Sequence, residues 1–371
     1  MSGDSATFSS PDAALEIGDA APPFVLPDPT GTPRALYGDA VAGHAIVLAF
    51  CRRAEGPEVA ALLASLHRSF PETGQDAPRL FVILPSALSA AAASQAALLM
   101  NFSLLADPQR QASRAYGLKH DGHSTLIVID HNLRIALINA DPDPASSVAA
   151  ARECVARLAA RRRERAVQSH APVLVLPRVL SPRECADLIE VWHRPVKLWH
   201  SDGFRSTGYQ HETSDFKIRI DTYGKTDQFV IRDQALLDHL DARVMGRVIP
   251  QISKAFQQDV GYREDFRIAC YDASEGGSLP AHRDNPTAMT RHRVFTVSIH
   301  LNAGAYDGGG LRFPEYGAQV YDLEPGTAVV WSCALLHEVD AVTRGRRFIL
   351  GTHFFNDLAA MQASQRLAAS S

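Results

Sequence analysis

The chain of 371 residues contains no apolar run approaching the roughly 20 residues that a membrane-crossing helix needs, and its start, Met1-Ser-Gly-Asp-Ser-Ala-Thr-Phe-Ser-Ser10, lacks the basic and apolar parts of a secretory leader. Five cysteines, at 51, 154, 185, 270 and 333, include no closely spaced pair, so a cytoplasmic, thiol-reduced protein is expected rather than a disulfide framework. An excess of either charge is also missing. With 37 Lys and Arg against 41 Asp and Glu, the net charge is −4, which gives no electrostatic footprint for nucleic acid or an acidic membrane surface. The one dense basic run, Arg161-Arg-Arg-Glu-Arg165, follows an alanine-rich helical stretch from Ser146 to Ala160, where cations suit the helix dipole.

What is present suffices for two cores: hydrophobic residues make up 46% of the chain and charged ones 21%. The pattern divides into a flexible N-terminus (1–14), an α/β domain (15–165), a linker (166–172), a β-rich domain (173–358) and a tail (359–371). At the start of the second domain, Leu180-Ser-Pro-Arg-Glu-Cys185 reads as a helix entrance, with Ser181 as N-cap, Pro182 at the first helical position and Glu184 closing a capping box.

The spacing His-x-Asp occurs three times, at His200/Asp202, His239/Asp241 and His282/Asp284. His239 and Asp241 fall in a stretch with helical periodicity, where positions i and i+2 diverge. His200 and Asp202 fall in a polar Ser- and Gly-rich stretch; both pairs read as solvated. His282 and Asp284 stand among segments that read as short strands: Phe266–Tyr271, Arg293–Leu301, Ala318–Tyr321, Thr327–Trp331 and Arg347–Phe354, separated by Asp307-Gly-Gly-Gly310 and Glu324-Pro-Gly326. In an extended segment, i and i+2 share a face, so both side chains can converge on one ion. His337 follows in a later strand, completing the two imidazoles and one carboxylate that hold ferrous iron on one face of its octahedron. The remaining strand-region histidines, His292, His300 and His353, read as core or rim residues.

These pieces resemble the iron(II)- and 2-oxoglutarate-dependent dioxygenases, in their prolyl 4-hydroxylase-like branch. The resemblance is carried by His282-x-Asp284, Phe295-Thr-Val-Ser-Ile-His-Leu-Asn302, Asp307-Gly-Gly-Gly-Leu-Arg-Phe-Pro314, Pro325-Gly-Thr-Ala-Val-Val-Trp331, His337 and Val342-Thr-Arg-Gly-Arg-Arg347. It implies a double-stranded β-helix (jelly roll) with flanking helices, and an iron site made by His282, Asp284 and His337. Arg347 would pair with the far carboxylate of 2-oxoglutarate, Arg346 being its nearest rival, and Tyr271 would touch the same cosubstrate. The implied activity is hydroxylation of an unactivated C–H bond by dioxygen with release of succinate and carbon dioxide, supported by ascorbate as in many relatives. Substrates in keeping with the resemblance are a prolyl or other side chain of a peptide, or an amino-acid-like small molecule. Lys217, Arg219, Arg232 and Asp233 precede the barrel as substrate-facing elements do in the family.

The first half alternates strands with helices: Ala45–Phe50, a helix from about Pro57, Arg79–Leu84 and Ser124–Asp130. It resembles peroxiredoxins and other thioredoxin-fold proteins over roughly residues 15 to 160. The turn that carries Cys-Gly-Pro-Cys in thioredoxins reads Glu55-Gly-Pro-Glu58, so both sulfurs are replaced by carboxylates. Cys51, directly after an apolar strand, reads as packing, although Arg52 and Arg53 supply the cations that a redox-active thiol would need. The alternative to a hydroxylase is therefore a thiol redox or partner-binding protein whose barrel is a non-catalytic module.

Overall fold

The computed structural model describes residues 15–36, 41, 43–71, 77–86, 101–119, 123–160, 169–201, 212–221, 224–358 and 360–362. The N-terminus, the basic run Arg161–Arg165, the first three residues of the linker, Asp202 and most of the tail lie outside the described residues. The chain divides into two compact units, with the boundary between Arg165 and Ala166.

In the first unit, β1 (Val25–Pro27) and β2 (Pro33–Ala35) form a hairpin beside a five-stranded sheet. That sheet consists of β3 (Ile46–Phe50), β4 (Arg79–Leu84), β5 (Ser103–Ala106), β6 (Thr125–Ile129) and β7 (Ile135–Asn139), in the order β5-β4-β3-β6-β7. β3 to β5 run parallel, and β6 and β7 are antiparallel to their neighbours. Central strands of such a sheet are covered on both faces, which explains the unbroken apolar run of β3. Ile46, Leu48 and Phe50 point to one buried cluster with Tyr116. Val47 and Ala49 point to the other, with Leu62 and Leu66 of the helix Pro57–Ser69 and Val148 and Ala151 of the helix Pro144–Ala160. The latter helix begins two residues earlier than its alanine-rich run, because the Asp143 carboxylate accepts from the amides of Ala145 and Ser146.

The second unit is built on a large sheet of nine strands. These are β8 (Leu174–Leu176), β9 (Lys197–Ser201), β10 (Phe216–Ile220), β11 (Thr226–Val230), β12 (Tyr262–Arg263), β13 (Arg267–Asp272), and, after the short β14 (Leu279–His282), β15 (Phe295–His300). The small pieces β16 (Asp307–Gly308), β17 (Leu311–Arg312) and β18 (Val320–Tyr321) precede β19 (Ala328–Ser332), β20 (His337–Val339), β21 (Val342–Arg344) and the ten-residue β22 (Arg346–Phe355). The large sheet runs β8-β19-β15-β22-β13-β11-β10-β9, with β12 joined to β22, and a second sheet runs β14-β20-β17-β18. The strand expected at Ala318–Tyr321 is reduced to two residues, because its partner β17 ends where Pro314 opens a short 3₁₀ turn.

One face of the large sheet packs on helices: Val297, Ile299, Phe348 and Leu350 meet Leu188 of the helix Pro182–Trp192 and Val248 and Ile252 of the helix Gly246–Phe256. The first of these helices starts with the capping box as expected, Ser181 and Glu184 each serving the other's backbone amide. The opposite face carries Tyr271, Trp331 and Ile349, which meet Leu311 and Val339 of the smaller sheet and Phe313 just beyond β17. His239 and Asp241 are not simply solvated, since His239 contacts Glu184 and Asp241 holds Arg263. His200 of the polar Ser- and Gly-rich stretch lies on β9.

Candidate active site

β14 and β20 are adjacent antiparallel strands, and their register sets His282 directly opposite His337, with ring centroids 4.2 Å apart. Asp284 follows just beyond β14, its amide held by the Cys333 carbonyl at 2.9 Å. The two Nε2 atoms face its carboxylate, at 3.4 Å from Oδ1 for His282 and 3.6 Å from Oδ2 for His337. One ligand atom from each residue lies within 4.8 Å of the others, close enough for all three to share one cation.

Each imidazole is oriented from behind. The Pro280 carbonyl lies 2.9 Å from His282 Nδ1, and the Leu335 carbonyl 3.1 Å from His337 Nδ1. A carbonyl accepts only from a protonated nitrogen, so both rings are set with Nδ1–H donating and Nε2 turned inward, where it gives up any proton it carries and offers its lone pair when a cation binds. The Thr296 hydroxyl donates to Asp284 Oδ2 at 2.5 Å. Burial works against the Asp284 charge, yet the bond from His282 and the neighbouring His353 and His337 hold its pKa well below the usual carboxylate range. Burial also works against a charged His282, but Asp284 raises its pKa; at His337, burial and the charge of His282 lower it.

Arg347 and Arg346 are separated by strand parity. Arg346 points outward, half exposed, and pairs with Asp272 at 2.6 Å. Arg347 points inward at 1% exposure, its guanidinium 5.2 Å from the Tyr271 ring, and register places Tyr271 directly opposite. Among the described residues, Nε and Nη1 of Arg347 have no hydrogen-bond partner. Gly309, at φ +66°, lies against this side chain: a Cβ there would come within 2.9 Å of Arg347 Cδ, so the Gly-rich run makes room for the arginine stem. Tyr306 lies beside it; burial raises the phenol pKa, while the charge of Arg347 and its hydrogen bond draw it back. Among the described residues, Trp331 Nε1 and both ring nitrogens of His300 are likewise buried without a hydrogen-bond partner. Burial, with Arg347 alongside, pushes the His300 pKa down to about 3 and keeps the ring neutral.

A cavity of about 920 Å³ connects these features, lined by His282, Asp284, His337, Tyr271 and Arg347 among others. Sequence reasoning missed one wall of it. His353, read as a core or rim residue, lines the cavity, with Nε2 3.8 Å from Asp284 Oδ1 and Nδ1 3.3 Å from Glu264 Oε2. Glu264 in turn receives both ends of the Arg293 fork, at 2.7 and 2.8 Å, and contacts His292 Nε2 at 2.9 Å. Burial would raise its pKa, but Arg293 and the two histidines keep it well below the usual range. The parity that separates Arg346 from Arg347 also gives His353, six positions on, the same face as Arg347.

Other expectations are corrected. Lys217 and Arg219 do not face the cavity: Lys217 lies over the Trp192 ring at 3.8 Å and Arg219 binds Asp227, because alternation along β10 turns Phe216, Ile218 and Ile220 inward instead. Asp233 caps the helix Gln234–Leu240, and of the four only Arg232 lines the cavity. Cys51, by contrast, packs in the core of the first unit as its sequence context suggests, and burial with the nearby Glu58 pushes its thiol up to about 12, the opposite of an activated thiolate.

Residues 17–138 match the AhpC/TSA family. The second unit is similar to PKHD-type hydroxylases. One from Synechococcus sp. (strain JA-2-3B'a(2-13)) is 36% identical over 87 residues, which is 22% of this chain and 38% of that protein. One from Pseudomonas putida (strain ATCC 700007 / DSM 6899 / JCM 31910 / BCRC 17059 / LMG 24140 / F1) is 27% identical over 204 residues, covering 52% of this chain and 82% of that protein. The match thus spans less than half the length of the first of these relatives. Among solved structures, a Pseudomonas putida prolyl-4-hydroxylase aligns with 50% of this chain and 94% of its own, at 19% identity and a TM-score of 0.36.

Proposed function

We propose that the second unit is an iron(II)- and 2-oxoglutarate-dependent hydroxylase and that its two facing sheets form a double-stranded β-helix. The observation that carries this reading is the meeting, in one cavity, of a two-histidine, one-carboxylate cluster with a buried guanidinium bearing two unpartnered N–H groups. A hard–borderline donor set of this composition suits ferrous iron and leaves coordination positions open. The orphaned Arg347 groups suit a carboxylate, which accepts two parallel hydrogen bonds from the fork. The sequence matches to PKHD-type hydroxylases support the same reading.

In this reading His282, Asp284 and His337 hold the iron, and Arg347 holds the far carboxylate of 2-oxoglutarate, with Tyr271 packed against the guanidinium. When bound, the iron and the keto acid supply the oxidation, in which a C–H bond, dioxygen and 2-oxoglutarate give an alcohol, succinate and carbon dioxide. The remaining work belongs to the chain. The Pro280 and Leu335 carbonyls and Thr296 keep the three ligands aligned, and the apolar wall of Leu311, Val339 and Ile349 excludes water from the oxidant. Ascorbate is proposed as a reductant that returns oxidised iron to the ferrous state. The substrate is a side chain of a peptide or an amino-acid-like small molecule, and the first unit, without an activated thiol at Cys51, acts by binding substrate or partner or by stabilising the assembly.

The test is anaerobic loading of the full chain with ferrous ion and 2-oxoglutarate, followed by admission of air. A visible charge-transfer band before air and succinate afterwards are expected, both lost in His282→Ala. Absence of both in the wild type would sink the proposal.

A further inference from the structure

The cavity wall contains more arginine than the proposed cosubstrate uses. Six arginines line it, and four are neutralised by carboxylates: Arg232 by Asp265, Arg263 by Asp241, Arg283 by Glu315 and Arg293 by Glu264. Arg347 is the fifth, already assigned above. The sixth, Arg267, has no carboxylate partner among the described residues; its Nη1 donates to the neutral side-chain oxygen of Gln228 at 3.0 Å.

Position gives this spare cation a meaning. Arg267, Ala269 and Tyr271 are alternate residues of β13, and all three face the cavity. Tyr271 stands opposite Arg347, whereas Arg267 stands opposite Gly351, four residues further along both strands. At about 3.3 Å per residue this separates the two rows by about 13 Å of backbone, so one small diacid anchored at Arg347 does not reach both. Next to Gly351 in the sheet comes Ser298, and beside that row stand Thr296 and His353, the residues against Asp284. The row between Arg267 and the residues against Asp284 thus holds a glycine and a serine, with Ile349 leaning against Gly351 from the next position on its face. On the other side of Arg267, Phe216, Ile218 and Val230 form a buried apolar wall. A guanidinium beside such a wall attracts an anion more strongly than it would in open water.

We infer that Arg267, positioned by Gln228, is the seat of a carboxylate on the oxidised substrate, whose apolar body lies over Gly351 and against Phe216, Ile218 and Val230. The inference rests on the hydroxylase reading and narrows it to carboxylate-bearing substrates, either free amino-acid-like molecules or peptides presenting a carboxylate.

The experiment has two arms and uses the iron-loaded full chain. The first offers an equimolar mixture of the free protein amino acids and, separately, their α-carboxamides; the second offers a tryptic digest of cell protein before and after methyl esterification. Oxygen-added products are read by mass spectrometry, and succinate is read alongside. Products are expected only from carboxylate-bearing forms, and the arm that yields them identifies the source. For the compound found, Arg267→Gln should raise KM by about 10- to 100-fold, the loss expected for a charge-assisted hydrogen bond. Succinate formed without substrate should stay within about two-fold, and Arg267→Lys should recover part of the loss. Equilibrium dialysis of that compound against the anaerobic complex should show the same loss without turnover. Equal oxidation of the amidated or esterified forms, an unchanged KM in Arg267→Gln, or succinate without any product from the carboxylate-bearing mixtures would each overturn the inference and leave the hydroxylase reading intact. No succinate from the wild type would remove that reading, and this inference with it.

Discussion

His353 lies between two carboxylates: its Nε2 is 3.8 Å from Asp284 Oδ1 and its Nδ1 is 3.3 Å from Glu264 Oε2. The proposed iron ligand Asp284 is thereby joined to a buried cluster of Glu264, Arg293 and His292, which also reaches its backbone carbonyl through Arg293. Replacing His353 by Phe keeps the ring volume and removes both polar contacts. Iron affinity, measured by competition with a chromogenic chelator, should fall about 10-fold, the lower end for loss of a group supporting a ligand. An unchanged affinity would confine His353 to a role as cavity wall.

Two adjacent arginines provide an internal control. Arg347→Gln should raise the KM for 2-oxoglutarate in uncoupled succinate formation by about 100-fold or more, because a bidentate ion pair is lost from a buried site. Arg346→Gln removes an exposed pair with Asp272 and should change the same KM by less than about three-fold. Equal effects would mean that the cosubstrate is held elsewhere.

Glu184 links helix entrance to acid stability. Burial disfavours its charge, but the Ser181 amide and hydroxyl, His239 and Arg243 together lower its pKa to about 2. A group depressed on folding stabilises the fold above its unfolded pKa, and that stabilisation is lost as pH falls through its folded pKa. Glu184→Ala should therefore cost about 1–2 kcal/mol at neutral pH, and its difference from the wild type should vanish between about pH 4.5 and pH 2. A difference that persists at pH 2, followed by denaturant melts, would assign the loss to packing alone.

Cys51 should behave as a core residue. With its thiol pushed up to about 12, alkylation of the native protein at pH 8 should be slower than that of a free thiol by at least about 100-fold and should appear only on unfolding. Cys51→Ser should leave succinate formation unchanged. Rapid native labelling, or peroxidase activity lost in that variant, would restore a thiol function to the first unit.

The parts of the site legible in the sequence are those set by local strand geometry. His282 and Asp284 converge because extended chain has a period of two, and the same period places Arg347 inside and Arg346 outside. Parity also carried unused information: it places His353 with Arg347, and it turns Lys217 and Arg219 away from the cavity. What local pattern does not contain is pairing at a distance. Glu264 meets His353 only because a turn before β13 is brought to the far end of β22, where the Thr352 hydroxyl also donates to the Glu264 carbonyl across 88 positions. Arg267 looks like any charged residue at a strand start until the partners of the other five cavity arginines are known. In the first unit, the alternation of strands and helices was readable, whereas the inertness of Cys51 depends on the helices packed over it.

β22 presents Arg347, Ile349, Gly351 and His353 to the cavity in turn, from the proposed cosubstrate anchor to the neighbour of Asp284. Because hydrogen bonds on both sides lock this strand to β13 and β15, Arg347 is held at a fixed place on the sheet, like a mark on a ruler. Under the hydroxylase reading such a ruler selects cosubstrates by chain length as well as by charge. A diacid one methylene shorter or longer than 2-oxoglutarate would keep its grip at only one end.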